Sequence, residues 1–211
     1  MKKLVALTMA LVMTFAFGYV TMASTIGIGA SEGFSAEISK QIDPSEDNML
    51  VTGFYGFNDQ FQLSLGYNTD SKDIELGGRY AFDKNMAVTL DYTIADAEDA
   101  SDTTAFGFRY KAGLTDKLAL VGVLSYEDAD EVTAMGVKGQ AEYKFTDMVV
   151  GNLGFDYVNP DSDLMELDSF TNIVAGVEVY PVEKLCAYLD YTIMDDENTD
   201  DTIDLGVAYS F

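Results

Sequence analysis

From about residue 25 to residue 211, hydrophobic and polar side chains alternate in a series of short segments. In 61–68, Phe61, Leu63, Leu65 and Tyr67 alternate with Gln62, Ser64, Gly66 and Asn68. In 74–82, Ile74, Leu76, Gly78, Tyr80 and Phe82 stand against Glu75, Gly77, Arg79 and Ala81. In 86–94, Met86, Val88, Leu90, Tyr92 and Ile94 stand against Ala87, Thr89, Asp91 and Thr93. A strand throws successive side chains to opposite faces, so each segment reads as a strand with one apolar and one polar face. The period continues through 49–57, 106–111, 135–145, 149–157, 170–180, 185–193 and 202–211, and opens around 25–41 with Phe34, Ala36 and Ile38 on one face. Phe54 blurs the second segment, and 118–126 is apolar on both faces, which leaves its direction open. No helical period competes over most of this length.

Strands of about 8–11 residues are what a tilted crossing of a bilayer requires. In lipid every backbone N–H and C=O needs a partner, so a sheet there has to close on itself. Closure also removes exposed edges. The segments number twelve, and an even number puts both ends on one side. The connections alternate long and short. The short ones carry turn residues, such as Asn58-Asp59-Gln60, Asp83-Lys84-Asn85 and Thr146-Asp147. The long ones are 43–48, 69–73, 95–102, 127–131, 159–168 and 194–201. Short periplasmic turns and longer outer loops sort in this way in outer-membrane barrels. Tyr80, Phe82, Tyr143, Phe145, Tyr180 and Phe211 fall near the short turns, and Tyr67, Tyr92, Tyr126, Tyr157 and Tyr191 near the long loops. Two aromatic rings at two interfaces are the expected girdles. A soluble β-sandwich is the competing reading, and it would have to bury this aromatic face against a second layer.

The stretch TIDLGVAYSF (202–211) carries apolar residues at Ile203, Leu205, Val207, Tyr209 and Phe211. This ending resembles the C-terminal strand of bacterial outer-membrane β-barrels, which closes on a terminal Phe with an aromatic two residues earlier. The resemblance implies that Tyr209 and Phe211 form the insertion signal read by the barrel insertion machinery. It also implies a cell outer membrane location, with outer-membrane lipid as a partner, and a likeness to small porin-like proteins.

The N-terminus fits such an address. Lys2 and Lys3 precede an apolar run, and Thr21-Met22-Ala23 resembles a cleavage site, so 1–23 reads as a signal peptide and 24–211 as the barrel. A membrane anchor over the same residues is the alternative. The chain has 12 Lys+Arg against 36 Asp+Glu. That balance argues against nucleic acid as a partner and favours cations. A single cysteine, Cys186, excludes an internal disulfide.

The polar face carries Glu75, Arg79, Asp91, Arg109, Lys111, Lys138, Glu142, Lys144, Asp156, Glu178, Asp190 and Asp204. These are the expected pore-lining residues. The bases cluster on the fourth to eighth segments, while the ninth to twelfth contribute acids only, which sets up a transverse field. Walls of charge set ion selectivity in water-filled pores. The same charges could instead pair into a network that plugs a small barrel. The outer loops are acidic, with Asp96, Glu98, Asp99 and Asp102 in one, Glu127, Asp128, Asp130 and Glu131 in the next, and Asp195, Asp196, Glu197, Asp200 and Asp201 in the last. None has the twelve-residue calcium pattern, so no metal site and no cofactor is assigned. The chain has no histidine, which removes His-based catalysis and leaves no catalytic residue to name. The expectation is an all-β chain that is no enzyme: a closed antiparallel up-and-down transmembrane barrel of about 12 strands. Its expected function is a narrow passive channel for small hydrophilic solutes or cations. The alternative is a non-conducting structural or surface-interaction barrel.

Overall fold

A computed structural model of the chain describes residues 32–43, 49–97, 100–130, 132–162, 167–195 and 199–211. The expected signal peptide, the start of the first segment, and the loop acids Glu98, Asp99, Glu131, Asp196 and Glu197 lie outside the described residues. Those described form β1 (Gly33–Asp43), β2 (Met49–Gly56), β3 (Phe61–Asn68), β4 (Ile74–Ala81), β5 (Met86–Ile94), β6 (Thr103–Gly113), β7 (Leu118–Ala129), β8 (Val132–Lys144), β9 (Val149–Ser162), β10 (Phe170–Val182), β11 (Leu185–Ile193) and β12 (Thr202–Ser210). Each pairs antiparallel with its neighbours in sequence, and β1 pairs with β12, so the sheet closes. At that seam Ser35 faces Ser210 and Ile38 faces Val207. Beyond it the Phe211 N–H donates to the Phe34 carbonyl at 2.9 Å, and the two rings lie 5.3 Å apart.

The alternation seen in the sequence decides which way each side chain points. Leu65, Leu90, Leu124 and Leu153 stand outward on four strands, with 57–60% of their surface exposed. Such a continuous apolar belt is a face for lipid, because water would have to solvate all of it. Among the described residues the buried apolar clusters are small, Ala81 with Ala87, and Ala129, Val132, Ala134 and Val158. Aromatic pairs line the short-turn end, Tyr55 with Phe57, Tyr80 with Phe82, Tyr143 with Phe145 and Tyr209 with Phe211. Tyr67, Tyr92, Tyr126, Tyr157 and Tyr191 stand outward near the loop end.

Two expectations need correction, and one open direction is settled. Tyr180 is not a girdle residue; it shares the inward parity of Glu178 and its hydroxyl donates to that carboxylate. The direction of β7 is set by Val123, which is buried, while Leu120, Leu124 and Tyr126 face out. The loop expected at 127–131 is mostly sheet. Ala129 pairs with Val132, so only two positions separate β7 from β8. Asp130 takes φ of 54°, a left-handed conformation that suits a two-residue hairpin and that Asp tolerates. Strands β7 to β9, of 12, 13 and 14 residues, therefore run further on the loop side than β2 to β4, of 8 each, while β10 starts at Phe170 opposite Val158.

The short turns share one device. The side-chain oxygens of Asn58, Asp83 and Thr115 each accept the backbone N–H groups two and three residues on. Thr146 accepts from Met148 in the same way. Asn, Asp and Thr at the start of a turn satisfy donors that the sheet leaves open.

The register exposes a repeat. Gly77 faces Asp91 between β4 and β5, and Asp91 faces Ala105 on β6. Gly176 faces Asp190 between β10 and β11, and Asp190 faces Asp204 on β12. The sequence follows suit: LDYTIADAEDASDTTAFGFRY (90–110) matches LDYTIMDDENTDDTIDLGVAY (189–209). The match reaches back one strand further, where Ser64 faces Gly77 and Asn152 faces Gly176. The sequence repeat covers β5–β6 and β11–β12, the shared register extends it back to β3 and β9, and the two units lie on opposite sides of the ring.

Candidate functional site

The interior is built from every second side chain of each strand. Eleven of the twelve expected lining residues are buried or half-buried on the inward face, from Glu75 on β4 to Asp204 on β12. Lys144 is the exception; it lies exposed at the short-turn rim, paired with Asp147 at 2.8 Å. That pairing holds the Asp147 carboxyl below its ordinary range.

Three charge groupings form inside. On β4–β6, Arg79 and Arg109 lie within electrostatic reach of each other, and Arg109 of Asp91. Further along the wall, Lys111 on β6 donates to Glu142 on β8 at 3.0 Å, and Lys138 on β8 stands directly opposite Asp156 on β9. On β10–β12 stand Glu178, Asp190 and Asp204, with exposures of 1%, 3% and 6%. No basic residue faces inward from β9 to β12 among the described residues. Near the short-turn end Lys111, Glu142, Lys144 and Tyr180 line a cavity of about 490 Å³.

Two inward carboxylates were missed as lining residues. Glu37 on β1 is buried and accepts the Tyr188 hydroxyl at 2.6 Å. Its parity, opposite to Phe34, Ala36 and Ile38, was the available signal. Glu127, placed in a loop from the sequence, is buried on the extended β7. Its parity matches Val123. Phe54, which blurred the pattern of β2, is also inward and buried.

Glycines make room for the interior side chains. A Cβ on Gly77 would collide with the Ser64 hydroxyl and the Asp91 carboxylate. One on Gly176 would collide with Asp190 and Asn152, the equivalent pair. One on Gly206 would meet the ring of Tyr188.

On the loop side each copy holds its β-hairpin loop with a latch. Asp102 accepts the Tyr92 hydroxyl at 2.6 Å and the Ala95 N–H at 3.1 Å. Asp201 accepts the Tyr191 hydroxyl and the Met194 N–H at 3.0 Å. The tyrosine hydroxyl first, and the amide second, hold both carboxyls below their ordinary range.

A closed twelve-stranded antiparallel barrel with a lipid-facing belt and a charged interior belongs to the class of transmembrane β-barrels. Its solved likenesses are bacterial outer-membrane porins. The NanC porin superposes with a TM-score of 0.63 at 10% identity, over 85% of this chain and all 100% of that one. The KdgM porin gives 0.59 at 14% identity, over 84% and 98%. Omp33 of Acinetobacter baumannii gives 0.56 at 12%, over 88% and 100%. No protein-family profile matches the sequence, and no curated protein matches it. The fold is that of these porins.

Proposed function

We propose that the protein is an outer-membrane barrel forming a narrow passive channel for small hydrophilic solutes, with a preference for cations. The observation that carries this reading is the polar interior: charged and amide side chains line the wall on almost every strand, and the acids outnumber the bases. A wall of one sign concentrates the opposite ion and repels its own. A KdgM structure has been solved in complex with disordered oligogalacturonate, a polyanion. The uninterrupted acids of β9 to β12 disfavour such a solute here. In this reading Glu75, Arg79, Asp91, Arg109, Lys111, Lys138, Glu142, Asp156, Glu178, Asp190 and Asp204 line the path, with Lys144 at its rim. Tyr209 and Phe211 remain the proposed signal to the insertion machinery.

A second reading, the non-conducting barrel, is favoured by one observation. Glu37, Glu178 and Asp190 are only 1–3% exposed, so side chains fill much of the middle. Planar-bilayer recording of the purified protein separates the two. Discrete conductance steps with a higher potassium than chloride permeability support the channel. A silent bilayer containing folded protein supports the plug.

A further inference from the structure

The two copies of the repeat place one carboxylate at the same point and surround it differently. Asp91 faces the methyl group of Ala105 and has Arg109 within electrostatic reach. Asp190 faces Asp204, and the position matching Arg109 is Ala208. Residues directly opposite on antiparallel strands hold their Cβ atoms about 4.5–5.5 Å apart, and like charges there repel. Both carboxylates are more than nine-tenths buried. Asp204 Oδ2 receives only a long bond from the Thr202 hydroxyl, at 3.4 Å. Asp204 Oδ1 meets no donor among the described residues, and the same holds for Oε1 of Glu178, one strand from Asp190. Of the nearby lysines, Lys111 is paired with Glu142, and Lys138 lies within electrostatic reach of both Asp156 and Asp190, so one ammonium is shared between two acids and Asp204 is left to the pair. A buried carboxylate oxygen without a partner is costly, and two carboxylates side by side are more so. Asn152, which donates to Asp190 Oδ1 at 3.4 Å, and Thr202 add neutral oxygens beside the pair. Carboxylate and hydroxyl oxygens are the ligands a hard cation takes.

We propose that Asp190 and Asp204 form a transit site for a divalent cation, Ca²⁺ or Mg²⁺, on the acidic wall of the lumen. This deepens the channel reading and rests on it for the route by which the ion arrives. Among the described residues no three metal-ligating side chains converge. Two carboxylates give the weak class of calcium site, with Kd on the order of 10⁻⁴–10⁻³ M. Weak binding is what conduction needs, since an ion that enters must also leave. The repeat supplies an internal control, because Asp91 has the same backbone setting without a second acid opposite.

The test titrates CaCl₂ into the full chain refolded in detergent while thermal unfolding is followed. The wild type gains unfolding temperature with a midpoint near millimolar calcium. Asp204→Asn loses that gain, and so does Asp204→Ala, which copies the alanine the other half already tolerates. Asp91→Asn keeps it. An equal gain in the Asp204 variants assigns the calcium to the acidic loops and overturns the proposal. No gain in the wild type overturns it too and leaves a shared proton between the two acids. The same titration in planar bilayers separates the site from the channel. Calcium bound in detergent by a protein that never conducts refutes the channel and keeps the binding site. Conductance indifferent to millimolar calcium refutes the site and keeps the channel.

Discussion

The two halves of this barrel agree on their outside and differ on their inside. Both carry the LDYTI strand, both set a glycine opposite its aspartate, and both tie a loop down through tyrosine and aspartate. Toward the lumen, Arg79 becomes Glu178, Thr89 becomes Tyr188, Ala105 becomes Asp204 and Arg109 becomes Ala208. Lipid-facing and turn residues are fixed by backbone satisfaction and by the bilayer, which act alike on every strand. Lumen residues meet no such uniform demand, so their charge was free to diverge. The field across the interior is thus a difference between two copies of one scaffold.

The largest effect expected from breaking that contrast is steric. Gly206→Val drives three carbons toward the buried Tyr188 ring and lowers stability by about 1–3 kcal/mol, read from urea unfolding in lipid vesicles. Gly107→Val, at the matching position, faces the smaller Thr89 and Ser125 and costs less. A larger loss at Gly107 would break the comparison. Next is Tyr188→Phe, which leaves the buried Glu37 without its hydroxyl donor. The expected loss is about 1–3 kcal/mol, while Thr89→Val, at the same place in the first half, costs less.

Charge exchange is a sharper probe with a smaller effect on stability. Glu178→Arg makes the second half resemble the first, and the potassium-to-chloride permeability ratio falls severalfold in bilayer recordings. Arg79→Glu moves the ratio the other way. Ratios that ignore both variants would remove these residues from the path.

The smallest effect concerns the latches. Folded Asp102 and Asp201 hold their protons less readily than unfolded ones, so the latches contribute fully above the ordinary carboxylate value, near 3.9. Their contribution is lost as pH falls through the depressed folded value. Amide hydrogen exchange at Ala95 and Met194 therefore stays slow at neutral pH and gains an acid-released component below that range. Asp102→Asn frees Ala95 at neutral pH and leaves Met194 protected; loss at both sites would mean the loops are not independent.

Much of this was legible in the chain because alternation is a local rule. The bounds of β3, β5 and β11 match the sequence segments 61–68, 86–94 and 185–193. Where pattern and structure part, at Tyr180 and Glu127, parity points inward and a second cue points elsewhere. Tyr180 was put in a girdle for its nearness to a turn, although it shares the face of Glu178. Glu127 was put in a loop for its acidic neighbours, although the period of β7 runs through it. The repeat was also present in the sequence, in the two LDYTI stretches, but strand-by-strand inspection does not see it. The pairing of Asp190 with Asp204 could not be had from pattern alone. It depends on the register between β11 and β12, which a bilayer-facing belt fixes only in parity.

The unequal strand lengths give the barrel a parapet on one side and a doorstep on the other. Beyond Tyr157, strand β9 continues for five more residues, roughly 15 Å of chain at the usual rise per residue, whereas β3 stops one residue after Tyr67. The small apolar cluster of Ala129, Val132, Ala134 and Val158 stiffens the high side from within. The opening is consequently cut on a slant. If the proposed channel conducts, a solute reaches its mouth over a low sill above β2 to β4 and a rampart above β7 to β9.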